Sequence, residues 1–398
     1  MKTKRRLSVI MACSLIIVFL AACAQPGSPE GNQATQSNEV EEVVVGVLAP
    51  LTGPAAQFGV AVHQGIELYV NQFNALGGLQ VRLEVFDEEG DPTMAITGYH
   101  DLFDRGITAL IGSVTSVSTL AVVPEAYADN MPMITATSTH AAVTFDAETG
   151  QRWSNVFRSC FIDPFQGYVM ANFAVDEVGA QTAAILFNNE TDYSIGLMEA
   201  FTQQAEARGL EIVAVEQFGN ATTDFLGQLT NIAGVNPDVL FVPAYYEDIV
   251  LIGPQSLNAN LEAVMLGADG WEGVLNVIAN ASSIEGAFYM TGFSVDDPNP
   301  MVQEFIATYE AAFGSAPNMF AAQAYDAAMI LIASLEQALA DGYLPNTAEF
   351  KASTISHMAN TSMQAVTGYI TFDEFNNPQK TAFIIEVVDG EPVLWGTF

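Results

Sequence analysis

The chain has 398 residues, of which half are apolar and only 14% are charged. Lys and Arg together number 11 against 46 Asp and Glu, so the formal net charge is −35. A chain this acidic repels nucleic acid and anionic lipid head groups, so we expect no nucleic-acid partner. The length suits two domains of ordinary size, and the apolar content allows a large core.

The amino terminus has the pattern of a secretion signal. A basic start precedes an apolar run over residues 7–20, and small residues then lead to Cys23. This pattern predicts a signal peptide over residues 1–22, because the run is too short for a membrane-spanning helix. The ending Leu20-Ala-Ala-Cys23 resembles the lipobox of bacterial lipoproteins, which implies cleavage before Cys23 and diacylation of its thiol. An ordinary cleaved signal with an incidental cysteine is the alternative.

Residues 23–42 are dominated by Pro, Gly, Ser, Gln and Asn, so we expect a solvated, flexible linker behind the lipid anchor. Cys13 leaves with the signal and Cys23 is the predicted lipidation site, which leaves Cys160 without a partner. The mature chain is therefore expected to form no intrachain disulfide. A buried, inert thiol is the expected state of Cys160.

The body alternates short β-rich runs with helical patterns, which is typical of parallel sheets covered by helices. In the first part the patterns predict strands over 43–48, 81–86, 108–111 and 133–134, and helices over 65–76, 92–105 and 120–130. In the second they predict helices over 165–178, 195–208 and 225–233, and strands over 182–187, 211–216 and 239–242. Two doubly wound sheets, within 43–160 and 161–290, fit this count better than one. The last third predicts helices over 301–313 and 323–340 and a strand pair over 368–372 and 381–388.

The commonest catalytic signatures are missing from the sequence. There is no Gly-Lys dipeptide for a Walker loop, no His-Glu-x-x-His zinc motif and no Gly-x-Ser-x-Gly elbow. Their absence favours a protein that is not an enzyme and that needs no cofactor or metal, although an enzyme with dispersed catalytic residues, for example an amidohydrolase, stays open as an alternative.

An ordered set of short motifs connects the chain to one family. Among them are Gly46-Val-Leu-Ala-Pro-Leu-Thr-Gly53, Asn74-Ala-Leu-Gly-Gly78, Ile111-Gly-Ser-Val-Thr-Ser116 and Asp163-Pro-Phe-Gln-Gly167. Over residues 43–395 the chain resembles the branched-chain amino-acid binding proteins of ABC importers. The resemblance implies an α/β, type I periplasmic-binding fold: two doubly wound parallel-sheet lobes joined by a three-crossover hinge. Lobe 1 would be residues 43–160 and 291–368, and lobe 2 residues 161–290 and 369–398.

The resemblance also implies a ligand site in the cleft. Ser116 matches the family's serine for the ligand carboxylate, although it could simply cap a helix. Thr137 and Thr139 match groups that bind the ammonium, and Asp269 matches its acidic partner; each could also be an ordinary turn residue. The aromatic positions are matched by Tyr193, Tyr245, Phe58 and Phe320, for which core packing is the alternative. Tyr246 could take the place of Tyr245, and Trp271 is expected to line the pocket only because it is close to Asp269 in the chain.

These groups suit a free α-amino acid with a neutral, branched-chain or other apolar side chain. The implied protein is a monomeric, lipid-anchored extracytoplasmic receptor that traps this ligand between its lobes and delivers it to an ABC permease in the membrane. Binding of urea, short amides or aromatic acids stays open as an alternative, as does a sensory role.

Overall fold

A computed structural model describes residues 42–398. The predicted signal peptide, the predicted lipidation site Cys23 and nearly all of the predicted linker lie outside the described residues. In the part of the chain that the structure describes, no helix has the length and apolar character needed to cross a membrane.

The order of strands and helices follows the alternation expected from the sequence. The strands are β1 (Glu42–Ala49), β2 (Gln80–Asp87), β3 (Ala109–Gly112), β4 (Met133–Thr135), β5 (Phe145–Asp146), β6 (Gln151–Arg152), β7 (Val156–Arg158), β8 (Thr182–Asn188), β9 (Glu211–Phe218), β10 (Val239–Phe241), β11 (Val264–Gly267), β12 (Phe288–Thr291), β13 (Ser362–Ala365), β14 (Gly368–Thr371), β15 (Phe383–Val388) and β16 (Glu391–Thr397). The α-helices are α1 (Ala56–Ala75), α2 (Pro92–Asp104), α3 (Ser116–Ala128), α4 (Asp163–Asp176), α5 (Asp192–Arg208), α6 (Leu226–Val235), α7 (Tyr246–Asn258), α8 (Pro300–Phe313), α9 (Met319–Ala340) and α10 (Ala348–Ala359).

Lobe 1 is built on a five-stranded parallel sheet with the order β2-β1-β3-β4-β7. Its strands are continuous apolar runs because helices cover both faces, and Val43, Val45 and Val47 of β1 are fully or almost fully buried. Helix α9, from the last third of the chain, packs closely on α1. A Cβ atom at Gly65 would lie 2.2 Å from the carbonyl oxygen of Ala321, so a larger residue at Gly65 would push the two helices apart.

Lobe 2 is built on a seven-stranded sheet with the order β16-β15-β12-β11-β10-β8-β9. Strands β8 to β12 run parallel to one another, and β15 and β16 complete one edge in antiparallel orientation. The chain passes between the lobes three times, through residues 159–162, 292–299 and 372–382. The doubly wound two-lobe fold with three crossovers is therefore confirmed, while the exact lobe boundaries stay a prediction.

Both strands predicted at the carboxyl end are present, but they do not pair with each other. Strand β14 pairs with β13, whereas β15 pairs with β12 and β16. The two-residue turn between β13 and β14 is held from lobe 1, because the buried carboxylate of Asp326 accepts hydrogen bonds from the amides of Val366 and Thr367 at 2.8 and 2.9 Å. The polar run over β13 gave no strand signal, so β14 lacked a partner in the sequence-based prediction.

Candidate functional site

A cavity between the lobes is lined by all eight of the predicted ligand-binding residues Ser116, Thr137, Thr139, Tyr193, Tyr245, Asp269, Phe58 and Phe320. Its empty volume is about 250 Å³. The cavity lies where strands end and helices begin, which is the expected ligand position in doubly wound sheets. Its lining consists of Phe58, Val114, Thr115, Ser116, Thr137, Thr139, Tyr193, Tyr245, Asp269, Gly270 and Phe320. The eight side chains predicted from the sequence are therefore neighbours, although no contact within the protein tests their role toward a ligand.

The lobe 1 wall offers uncharged hydrogen-bonding groups. Helix α3 begins at Ser116, so the amino-terminal end of the helix, with its first backbone amides, borders the cavity. The Ser116 side chain is not a helix cap, because Thr115 occupies the N-cap position. The hydroxyl oxygens of Thr115 and Ser116 are buried and have no hydrogen-bond partner among residues 42–398. Burying such groups without a partner costs free energy, so they are suited to receive an external polar group.

The two threonines that follow β4 form hydrogen bonds to other parts of the protein through different groups. Thr137 uses its hydroxyl within lobe 1, where Oγ1 donates to the carbonyl oxygen of Val114 at 2.8 Å. The backbone carbonyl of Thr139 accepts from the amide of Asp163 at 2.9 Å, which fixes the loop against the start of α4. Both side chains are almost fully buried in the cavity wall.

The lobe 2 wall is built around one buried carboxylate. Asp269 is 3% exposed and follows β11 at the start of a short 3₁₀ turn. Its Oδ1 atom accepts hydrogen bonds from the hydroxyl of Tyr193 at 2.7 Å and from Nε2 of Gln166 at 3.0 Å. The Tyr193 oxygen in turn accepts from the amide of Gly270 at 2.8 Å, so the network is tied to the backbone that carries Asp269.

The electrostatics of this wall are governed by burial. Burial raises the pKa of Asp269 to about 6, although the hydrogen bonds from Tyr193 and Gln166 oppose the rise. Burial also raises the pKa of Asp163 well above its ordinary value, and the charge on Asp269 adds to this effect. A cation between the lobes would favour the ionised form of Asp269, because an opposite charge nearby offsets the desolvation.

Aromatic rings form the apolar part of the cavity. Phe58 and Phe320, in the first turns of α1 and α9, have ring centroids 4.4 Å apart. Tyr193 and Tyr245 of lobe 2 stack with centroids 4.6 Å apart. The Phe58 ring meets the edge of Tyr245 at 5.6 Å, which joins the two pairs across the cleft. These rings provide a surface suited to an apolar or aromatic group.

Direct contacts also connect the lobes beside the cavity. The hydroxyl of Tyr246, at the start of α7, donates to the carbonyl oxygen of Pro54 in lobe 1. The Tyr246 ring packs against Phe58 at a centroid distance of 4.9 Å. A contact of this kind can form only when the two lobes lie close together.

Two expectations near the site need comment. Trp271 does not line the cavity, because it is fully buried behind it and its Nε1 atom donates to the carbonyl oxygen of Val242 at 2.9 Å. The prediction for Cys160 is confirmed: the thiol is buried, and burial raises its pKa to about 12.

Sequence reasoning missed Gln166, Val114, Thr115 and Gly270. Val114, Thr115 and Gly270 adjoin predicted positions, so proximity in the chain was the available signal. Gln166 lies outside the cavity lining and far from Asp269 in the chain, so only its place in the run Asp163–Gly167 drew attention to it. No group of three or more His, Cys, Asp or Glu side chains within residues 42–398 could hold a metal ion.

Comparison with known proteins agrees with this architecture. A family model described as "Periplasmic binding protein" matches residues 42–392. A Leu/Ile/Val-binding protein homologue of Brucella melitensis is 26% identical over 300 residues, which are 75% of this chain and 79% of that protein.

Two solved structures show the same fold. A leucine-binding protein from Thermotoga maritima superposes with a TM-score of 0.81 at 28% identity, covering 89% of this chain and 98% of the other. An ABC-transporter solute-binding protein from R. palustris in complex with benzoate superposes with a TM-score of 0.79 at 23% identity, covering 89% and 96%. The residues matched by the family model include the five-stranded sheet, the seven-stranded sheet up to the start of β16, and the cavity lining. The family consists of solute-binding proteins rather than enzymes. The chain is therefore a member of the periplasmic binding protein family, with the type I fold.

Proposed function

We propose that the protein is the substrate-binding component of an ABC importer and captures a free α-amino acid with a neutral, apolar side chain. The observation that supports this most is the composition of the cavity around Ser116 and Asp269. Lobe 1 contributes unpartnered hydroxyls at a helix start, and lobe 2 contributes a buried carboxylate. A zwitterion presents the complementary pair of charges.

The ligand carboxylate would bind at the start of α3. It would accept hydrogen bonds from the Ser116 hydroxyl and from the first amides of the helix, where the helix dipole favours negative charge. No Lys or Arg side chain lines this cavity, so the recognition uses neutral donors.

The ligand ammonium would bind Asp269, with Thr137 and Thr139 supplying further acceptors from lobe 1. A buried ammonium needs an ionic partner and several acceptors, because its desolvation costs several kcal/mol. The ligand side chain would pack on Phe58, Phe320, Tyr193 and Tyr245, which favours an apolar side chain over a charged one.

Capture would proceed by closure of the lobes. An open form would bind the ligand on lobe 1, and lobe 2 would then close over it, exclude water and complete the hydrogen-bonding shell. The contact between Tyr246 and Pro54 would form in this closed state. The closed surface would be the one that the permease recognises.

Members of this family lie outside the cytoplasm. We further propose a lipid anchor: cleavage before Cys23 and diacylation of its thiol would hold a monomeric receptor near the permease. Metabolic labelling with palmitate tests the tether. The wild type should be labelled and Cys23→Ser should not; equal labelling of the two would rule out this site.

Isothermal titration of the purified protein against the twenty amino acids tests the proposed ligand class. Tight binding of one or more apolar amino acids, with little or no binding of Asp, Glu, Lys and Arg, would support the proposal. The absence of measurable binding for all twenty amino acids would reject the proposed ligand class.

An aromatic acid is a second candidate, because four aromatic rings meet at the cavity and one family member binds benzoate. Such an anion has no ammonium group, so Asp269 would repel it. Asp269→Ala should therefore improve the binding of benzoate but abolish the binding of an amino acid, and this difference separates the two candidates.

A further inference from the structure

The carboxylate that would bind the ammonium is held by a residue outside the cavity lining. Gln166 lies in the first turn of α4 and is 0% exposed. Its amide faces Asp269 with both polar ends: Nε2 donates to Oδ1 at 3.0 Å, and Oε1 accepts from the Asp269 backbone amide at 3.0 Å. Backbone and side chain of Asp269 are thus both bound to one side-chain amide.

This pairing fixes the orientation of the Gln166 amide. Because a backbone N–H can only donate, the atom that it binds must be the Gln166 oxygen. The NH₂ group must then point at the carboxylate, where it has two hydrogens to offer. One of them serves Asp269, and the other is directed toward Oδ1 of Asp163 at a longer distance of 3.5 Å.

We propose that Gln166 is the positioning residue of the site: it fixes the Asp269 carboxylate toward the cleft and favours its ionised form, ready for an ammonium group. This inference rests on the proposed function, because it names the residue that prepares the ammonium site. A donor with fixed geometry stabilises a buried carboxylate, whereas an unpartnered carboxylate in the same place would take up a proton or turn away.

The other charged and titratable groups around Asp269 do not replace this role. Asp163 from α4 and Glu272 from the following turn are acidic, and burial together with the charge on Asp269 raises their pKa, so they offer Asp269 no positive charge. Tyr245 and Cys160 are buried, and burial with a smaller effect of the charge on Asp269 raises the pKa of both groups. Tyr193 is the other side-chain donor, so Gln166 and Tyr193 act on the same oxygen atom.

Titration of the Asp269 carboxyl in ligand-free protein tests the inference. Side-chain ¹³C NMR would follow labelled aspartates, and the signal lost in Asp269→Asn would identify the group. In Gln166→Leu the midpoint should rise by about one pH unit, because a hydrogen bond to a charged group is lost. Gln166→Glu keeps the size and should raise the midpoint as well, because it adds a like charge.

Amino-acid binding by the same variants provides the second readout. At pH 7 we expect affinity to fall about tenfold in Gln166→Leu, mainly because the Asp269 carboxylate is no longer held toward the cleft. About a twofold part of this loss reflects protonation of Asp269 and should disappear at pH 8.5. Gln204→Leu is the matched control: Gln204 on α5 donates to Asn172 on α4 at 2.9 Å without touching Asp269, so its loss should leave the midpoint unchanged.

The outcomes separate this inference from the proposed function. An Asp269 midpoint that does not move in either Gln166 variant would overturn the positioning role, even if both variants are less stable. If the wild type binds no amino acid, the proposed function fails, but the ligand-free titration still decides whether Gln166 controls Asp269.

Discussion

The two walls of the cavity differ in the chemical groups that they present: lobe 1 has neutral groups and lobe 2 has a carboxylate. Lobe 1 presents neutral donors whose geometry is set by strand ends and a helix start, and its hydroxyls at Thr115 and Ser116 are unpartnered within the described residues. Lobe 2 presents a charge that is already bound within a network of Tyr193, Gln166 and Gly270. A buried hydroxyl without a partner costs less free energy than a buried carboxylate without one, so the carboxylate needs support from the protein before the ligand arrives.

This comparison places the largest mutational effect on lobe 2. Asp269→Asn keeps the shape of the side chain but removes its charge, so a buried ammonium would lose its ionic partner. We expect amino-acid affinity to fall by about 100-fold or more, measured by isothermal titration at pH 7.5. Asp176→Asn, which removes an exposed carboxylate paired with Arg208, should leave the affinity unchanged. An Asp269→Asn variant with wild-type affinity would show that charge on lobe 2 is not used.

The lobe 1 wall should respond less strongly. Ser116→Ala removes one hydroxyl donor to the ligand carboxylate, while the helix amides stay in place. We expect about a tenfold loss of affinity, because hydrogen bonds to charged groups contribute about 1.5–3 kcal/mol. Unfolding should be little affected, since the Ser116 oxygen has no partner among the described residues. Ser353→Ala, at a half-buried serine on α10 that donates to Asp341, is the control. An undiminished affinity in Ser116→Ala would place the carboxylate elsewhere.

Lowering the pH should weaken ligand binding through the protonation of Asp269 in lobe 2. The ligand ammonium requires ionised Asp269, whose pKa burial raises to about 6. Affinity should therefore be constant above about pH 7 and fall as the pH drops through 6, reaching roughly tenfold loss at pH 5. Titration calorimetry across pH 5–8 measures this, and Asp269→Asn should lose most of the pH dependence. A wild-type affinity that does not change over this range would contradict the assignment.

Removing the contact between the two walls should have the smallest effect on ligand affinity. Tyr246→Phe removes the hydroxyl that donates to Pro54 but keeps the ring on Phe58. Losing one hydrogen bond of the closed state should weaken affinity by about three- to tenfold, mainly through faster dissociation. Stopped-flow fluorescence measures the two rates. A change confined to the association rate would argue against a role in holding the lobes closed.

The sequence predicted the neutral wall and the fold more completely than the charged network. Strand and helix alternation indicated both sheets, because buried parallel strands are continuous apolar runs such as β1. Ser116 and Asp269 are expected at the cleft because they match positions in the motifs of the family that the chain resembles, and both line the cavity. Helix α1 begins at Ala56 rather than at the predicted residue 65. The Gly, Pro and Ala residues just before Ala56 weaken the helical pattern at its start.

What escaped prediction depends on distant contacts. Gln166 and Asp269 are 103 residues apart, and no local pattern relates them. Tyr246 and Pro54 are 192 residues apart and meet only across the cleft. Helix α7 contains Pro254, which weakens its helical signal, and the strands β13 and β14 are too short and polar for the pattern to indicate their pairing.

A crystal structure of the protein with a bound apolar amino acid, for which leucine is the first choice, tests the division between the two walls most directly. The account predicts the ligand ammonium within hydrogen-bonding distance of the Asp269 carboxylate and the ligand carboxylate at Ser116 and the first amides of α3. A ligand bound in the reverse orientation, or held by one lobe alone, would contradict it.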